Sequence, residues 1–201
     1  MTSSPSETET TVHPLREFAD RVAETVRGVG EITYDTVKVK VPADRWVEIH
    51  RQARDDLGLV FFSWLSAVDW TVDVAVGDPP SGEVVDRFEL LTTVADISEG
   101  RRVTFTTDLS KDDPVVASLV EVYSGANWHE REAAEMFGIR FEGHPDLTHL
   151  YLVDSFIGNP LRKSYPLLSR EVKPWPGMVD VEGMPGSASE PTEPSEENPE
   201  A

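Results

Sequence analysis

The sequence contains no cysteine among its 201 residues. Without thiols the chain has no disulfide bond, no thiolate nucleophile, no thiolate zinc site and no cysteine-ligated iron–sulfur cluster. Any redox chemistry in which this protein takes part would therefore have to be carried out by a neighbouring protein.

Basic residues and long hydrophobic runs are also scarce. Lys and Arg number 18 against 37 Asp and Glu, which gives a net charge of -19. Nucleic acids and anionic lipids attract cations and repel carboxylates, so this balance disfavours nonspecific binding to either. The longest run without a charged residue, 57–68, is well short of the roughly 20 residues of a membrane helix. With a polar, acidic start and no secretory signal, the sequence predicts a soluble, cytosolic protein.

Hydrophobic periodicity indicates an α+β fold: a mostly antiparallel sheet with helices packed on one face, followed by an extended C-terminal arm. The predicted helices are 13–28, 42–58 (ended by Gly58), 113–123 (with Asp113 as cap and Pro114 in its first turn) and 128–139. The predicted strands are 31–41, at least one within 59–76, 86–97 and 101–109.

Composition and charge divide the chain into four parts. Residues 126–175 carry six basic and seven acidic side chains, so nearly all of the negative charge lies elsewhere. Residues 181–201 contain six glutamates and no Lys or Arg. The predicted organisation is a disordered N-terminal tail, an α+β domain, a helix with an extended docking arm, and a disordered acidic tail, at 1–12, 13–125, 126–180 and 181–201.

The first motif, "WHEREAAEMFGI", occupies residues 128–139. It predicts a helix ended by Gly138, in which Arg131 pairs with Glu135 and the core-facing residues are Trp128, Ala133, Met136 and Phe137. Consecutive charges at 130–132 point in different directions, so some of them must pair elsewhere. Half of a His-Glu-x-x-His zinc motif is present, with Ala133 in place of the second histidine. An alternative is therefore a free-standing metal-dependent hydrolase that uses His129, Glu130, His144 and His149.

The second motif, "GNPLRKSYPLLSR", occupies residues 158–170. Its two prolines, Pro160 and Pro166, favour an extended backbone and are not tolerated in a central strand. In an extended chain, alternate side chains face one way: Leu161, Lys163, Tyr165 and Leu167. We interpret the segment as an arm across another polypeptide, with Arg162 as a bidentate ion-pairing group and Leu161, Tyr165 and Leu167 as anchors. The alternative is a loop that covers the core of its own domain.

Taken together, "NWHEREAAEMFGIRFEGHPDL" and "GNPLRKSYPL" resemble the signature of the 30-kDa subunit family of NADH:quinone oxidoreductase, respiratory complex I. The residues that match its pattern are Trp128, Glu130, Arg131, Glu132, Phe137, Gly138, Ile139, His144, Pro145, Asp146, Leu147, Gly158, Pro160, Leu161, Arg162, Lys163, Pro166 and Leu167. The departures are Thr148 and His149 where two arginines are usual, Glu135 for aspartate, and Ser164 for an acidic residue.

The resemblance implies a non-catalytic peripheral-arm subunit of a proton-pumping NADH:quinone oxidoreductase, on the cytoplasmic side of the bacterial cell membrane. It implies no catalytic, cofactor-binding or metal-binding residue in this chain, since FMN and the iron–sulfur clusters belong to partner subunits. The implied partners are the quinone-site subunit, the terminal iron–sulfur subunit and other peripheral-arm subunits, with membrane association only through the complex. An alternative is the equivalent subunit of a complex I-like hydrogenase or another donor-linked complex.

The residues expected to contact a partner lie in the two motifs and in the His-Pro-Asp stretch between them. They are Glu130, Arg131, Glu132, His144, Pro160, Leu161, Arg162, Lys163, Tyr165 and Leu167.

Overall fold

The computed structural model describes residues 13–71 and 85–166. Its helices are α1 Arg16–Val26, α2 Trp46–Asp55 and α3 Ala126–Phe137, with a short 3-10 turn, Ala43–Arg45, before α2. Its strands are β1 Val29–Thr33, β2 Thr36–Lys40, β3 Phe61–Trp70, β4 Arg87–Asp96, β5 Arg101–Leu109, β6 Val115–Ala117 and β7 Arg140–Glu142. None of the helices in the described ranges is long and apolar enough to cross a membrane.

Five strands form one sheet in the order β1-β2-β5-β4-β3. The pairs β1–β2, β4–β5 and β3–β4 are antiparallel, and only β2–β5 is parallel. The predicted α+β class and mostly antiparallel sheet are therefore confirmed. The single strand expected over 31–41 is a hairpin instead, because the chain turns at Tyr34, which has a φ of 56°.

The hydrophobic core lies between the sheet and the helices. Every second side chain of a strand points toward the helices, as the period of a strand requires. The fully buried members include Val37, Val39, Leu90, Val94, Val103 and Phe105 from the sheet and Val22, Val26, Trp46 and Ile49 from α1 and α2. The helix predicted over 42–58 is confirmed by α2, and its predicted terminator, Gly58, has a φ of 71°.

The helix expected over 113–123 is wrong. Residues 115–117 form β6, which pairs in parallel with β7. The backbone bonds Arg140 N–H to Pro114 C=O (2.8 Å) and Ser118 N–H to Glu142 C=O (2.8 Å) extend this pairing at both ends. Asp113 forms an ion pair with Arg140 (3.2 Å) rather than a helix cap. A strand from more than 20 residues later thus overrides the local helical pattern.

Candidate docking site on helix α3

Helix α3 packs its inner face on the sheet. The Phe137 ring meets Phe88 of β4 edge-on (6.2 Å between centroids), and the His129 ring meets Phe62 of β3 (5.5 Å). Gly138 ends the helix with a φ of 72°, as predicted. The prediction that Trp128 faces the core is wrong: its side chain is 60% exposed. At 100° per residue, position 128 lies on the opposite side of the helix from 133 and 137.

Glu130 is fully buried beneath α3. Its carboxylate accepts hydrogen bonds from the Ser118 hydroxyl (2.6 Å) and from the Leu119 N–H (2.6 Å), which tie the helix to the end of β6. Burial raises the pKa of Glu130 to about 7 in spite of these donors. The carboxylate is thus enclosed by its own domain, and its role in a partner interface stays a prediction.

The His144 side chain is also fully buried, against the same helix. Its Nδ1 accepts the N–H of Asp146 (3.0 Å), so the ring proton of the neutral form lies on Nε2. Nε2 lies 3.3 Å from the Asn127 carbonyl oxygen and 4.0 Å from a Glu130 carboxylate oxygen. This ring anchors the 144–146 turn to α3, and its contact with a partner stays a prediction.

The helical spacing had predicted an ion pair between Arg131 and Glu135, but the structure does not contain this pair. Its guanidinium donates to the carbonyl oxygens of Thr148 (2.9 Å) and His149 (2.9 Å). It also lies 5.5 Å from the centroid of the Trp128 ring. Arg131 therefore holds the start of the segment 148–166, which we call the C-terminal loop, beside α3.

Glu135 receives the next part of this loop. Its buried carboxylate accepts hydrogen bonds from three consecutive backbone N–H groups, those of Leu150 (2.8 Å), Tyr151 (3.1 Å) and Leu152. Burial opposes ionisation, but the three donors outweigh it and lower the pKa of Glu135. The charge of Glu135 is thus used inside the domain.

The loop also caps the C-terminal end of α3. Asn159 Nδ2 donates to the Glu135 carbonyl (2.9 Å), Leu161 N–H to the Met136 carbonyl (3.1 Å), and Arg162 Nε to the Phe137 carbonyl (2.6 Å). These are carbonyls that a helix cannot satisfy itself, and a cation is favoured at this end of the helix dipole. The Arg162 guanidinium lies 5.3 Å from the centroid of the Phe88 ring as well. Arg162 is therefore engaged within its own domain.

The described part of the segment predicted to be extended, residues 158–166, contains turns. Residues 159–165 form consecutive turns, with Arg162 N–H bonded to Asn159 C=O (3.1 Å) and Tyr165 N–H to Arg162 C=O (2.9 Å). Tyr165 stacks on Phe156 at 6.0 Å. These contacts match the alternative, a loop over the domain's own core. Leu167 and the rest of the predicted arm lie outside the described residues.

Two positioning residues were missed by the sequence reasoning, Asp69 and Asn159. Asp69 is buried and accepts hydrogen bonds from Lys163 N–H (2.9 Å), the Thr71 hydroxyl (2.6 Å) and Lys111 Nζ. It joins the C-terminal loop to the end of β3. A signal for Asp69 was present: it follows Leu65 and Ala67 at the inward-facing positions of a strand, where an acidic side chain requires partners.

The surface of the C-terminal loop carries several large apolar side chains. Four of its side chains are more than half exposed: Tyr151 (64%), Val153 (67%), Ile157 (88%) and Leu161 (52%). Of the predicted interface residues, Leu161 and Lys163 are exposed, and Glu132, Pro160 and Tyr165 are half-buried. Large apolar side chains held in solvent by bonded backbone are typical of a binding surface.

The junction of α3 with this loop is testable at Gly138. A Cβ there would lie 2.5 Å from an Arg162 guanidinium nitrogen and 2.7 Å from Asn159 Oδ1. Gly58 has nearly the same φ, 71°, with no atom within 4 Å of such a Cβ, and is a matched control. Both alanine variants carry the strain of a positive φ, but Gly138→Ala also displaces the cap, so we expect it to lose about 1 kcal/mol more unfolding free energy. Equal losses in urea denaturation would show that the cap contributes nothing.

The metal-dependent alternative finds no support in this geometry. His129 contacts Phe62 and His144 contacts Asn127 and Asp146. Within residues 13–71 and 85–166, no group of three or more His, Asp or Glu side chains is placed to hold a metal ion.

Fold and site together define an α+β domain that displays a firmly bonded, apolar loop on one helix, which is the class of an interaction domain. The chain belongs to the family described as "Respiratory-chain NADH dehydrogenase, 30 Kd subunit", whose profile matches residues 39–171. It is 35% identical to the C subunit of the NADH-quinone oxidoreductase of Bordetella petrii, over 79% of this chain and 78% of that protein. It is 36% identical to the C subunit of the Rhodobacter capsulatus enzyme, over 76% and 73%.

Solved structures share the fold. A trypsin-resistant fragment of Nqo5 (1-134) superposes with a TM-score of 0.52 at 25% identity, covering 64% of this chain and 98% of the fragment. A chain of the membrane-bound sulfane sulfur reductase, an archaeal respiratory membrane complex, superposes with a TM-score of 0.57 at 21% identity, covering 76% and 85%. The family predicted from the two motifs is confirmed.

Proposed function

We propose that this chain is a non-catalytic peripheral-arm subunit of a proton-pumping NADH:quinone oxidoreductase, which docks on the quinone-site subunit and stabilises it. The observation that carries the proposal is the use of charge along α3. Glu130, Arg131 and Glu135 bind groups of their own domain, and Arg162 caps the helix, so none of them forms an open catalytic site. What they hold in place is a loop whose apolar side chains face outward.

The proposal assigns no cofactor to this chain. The absence of cysteine removes the usual ligands of iron–sulfur clusters, so FMN and the clusters are assigned to partner subunits. The assigned neighbours are the quinone-site subunit, the terminal iron–sulfur subunit and other peripheral-arm subunits, on the cytoplasmic side of the membrane. Association with the membrane is through the complex alone.

A second candidate is the equivalent subunit of a related complex with a different electron donor. It is raised by the likeness to a chain of the sulfane sulfur reductase, an archaeal respiratory membrane complex, over 76% of this chain. That likeness concerns the fold alone. The co-purifying subunits therefore decide between the two candidates.

The test is co-purification of the tagged chain from native membranes, with the partners identified by mass spectrometry. We expect the quinone-site and terminal iron–sulfur subunits to be recovered, and Leu161→Asp to reduce that recovery several-fold. Its 52% exposed side chain gives it a place on the docking surface, and a carboxylate there opposes apolar burial.

The matched control is Ile97→Asp, in the turn between β4 and β5, where the side chain is 70% exposed. Both variants should melt at the wild-type temperature, and Ile97→Asp should keep wild-type recovery. Wild-type chain recovered without any oxidoreductase subunit would refute the proposed function, and unchanged recovery of Leu161→Asp would remove the loop from the interface.

A further inference from the structure

We propose that the groove between α3 and the C-terminal loop binds one cationic side chain, an arginine or a lysine, of the partner polypeptide. This inference rests on the proposed function, because it names the chemistry by which the same surface recognises its partner. The groove has a volume of about 310 Å³. Its walls are Trp128, His129 and Glu132 from the helix and Leu150 and Tyr151 from the loop.

Glu132 is the acidic group that this groove leaves available. The other two glutamates of α3 are satisfied inside the domain: Glu130 by Ser118 and Leu119, and Glu135 by three loop N–H groups. Glu132 is half-buried and makes no hydrogen bond or ion pair with any described residue. A carboxylate that has lost part of its water without gaining a donor is stabilised by a cation that enters beside it.

The aromatic walls suit the same ligand. Trp128 is 60% exposed and Tyr151 is 64% exposed, so both rings are accessible. An aromatic ring attracts a cation through its quadrupole, and apolar walls pack against the aliphatic stem of Arg or Lys.

Arg131 does not compete for Glu132, because its guanidinium is bonded to the carbonyls of Thr148 and His149. The loop wall is equally constrained, since the Leu150 and Tyr151 N–H groups are bonded to Glu135. A groove whose two walls are fixed before binding loses little conformational entropy when it is filled.

The experiment is a competition for incorporation in cells. Wild-type chain and Glu132→Gln, with different tags, are expressed at equal levels, and the ratio of the two in the purified complex is measured. We expect Glu132→Gln to be incorporated about tenfold less than the wild type, since loss of one partner of a desolvated charge pair weakens binding by at least this factor. Glu121→Gln, an exposed glutamate outside the groove, makes the same change of charge and should compete equally.

The identity of the ligand is read by crosslinking. A photoreactive p-benzoylphenylalanine at position 128 should crosslink to a partner segment that contains Arg or Lys, and reversing that residue to Glu should be compensated by Glu132→Lys. Equal incorporation of Glu132→Gln and wild type, or a crosslinked segment without a cation, overturns the inference while the proposed function stands. A complex that lacks the wild-type chain overturns both.

Discussion

Replacing Glu135 by alanine is expected to lower the free energy of unfolding by about 3 kcal/mol, because three backbone N–H groups lose a charged acceptor at once. Those groups belong to Leu150, Tyr151 and Leu152. Each bond to a carboxylate is worth about 1.5–3 kcal/mol, and water reaching the partly exposed loop recovers part of that loss. The free energy of unfolding of Glu135→Gln should fall between those of the wild type and Glu135→Ala, since an amide retains one acceptor oxygen but no charge.

Glu132→Ala is the matched control, one turn earlier on the same helix. It removes the same side chain from a position without a hydrogen bond to any described residue, so its stability should stay within about 0.5 kcal/mol of the wild type. Urea denaturation followed by tryptophan fluorescence measures both variants. Similar losses for the two would mean that Glu135 does not hold the loop. The same Glu132 variant is nevertheless expected to weaken assembly, which separates folding from docking.

The second large effect is a change in how stability depends on pH when Glu130 is replaced by glutamine. The pKa of Glu130 is raised by burial to about 7 from the ordinary value of 4.5. Between these values the folded state binds the proton and the unfolded state does not, so stability falls as pH rises through this window. The full difference amounts to about 3 kcal/mol.

His50 acts in the opposite direction. It is fully buried between the Trp46 carbonyl (2.7 Å from Nδ1) and the Thr92 hydroxyl (2.6 Å from Nε2), and burial lowers its pKa to about 4. Between pH 6.5, the ordinary pKa of histidine, and pH 4, His50 is protonated in the unfolded chain but not in the folded one. This group therefore makes stability fall as pH falls from 6.5 to 4. The two buried groups therefore oppose each other between pH 4.5 and 6.5.

Glu130→Gln removes one side of this balance. We expect the variant to lose about 2 kcal/mol of stability relative to the wild type as pH is lowered from 6.5 to 4.5, because the proton taken up by folded Glu130 no longer offsets the effect of His50. Urea denaturation at pH 4.5, 5.5, 6.5 and 7.5 measures both proteins. Stability curves that run parallel across this range would show that Glu130 has an ordinary pKa.

The local sequence pattern was sufficient to predict several features of this protein. The family motif, the inward residues Ala133 and Phe137 of α3, and the terminators Gly58 and Gly138 were all read correctly. These features depend on residues close in sequence. The 3.6-residue period of apolar side chains predicts a helix, and a glycine that tolerates positive φ predicts its end. The lack of cysteine acts in the same way, since a side chain that is absent takes part in no chemistry.

Contacts between distant residues settled the rest. Residues 115–117 are a strand because β7 lies beside them, and Glu130 is buried because Ser118 and Leu119 meet it. The sequence around Arg162 predicted a cation at the surface, but Arg162 caps α3 by donating to the carbonyl of Phe137, 25 residues earlier. A charged side chain binds whichever partner the folded chain brings within hydrogen-bond distance. Spacing along the sequence identified the charged residues of this site, and the three-dimensional packing assigned their partners.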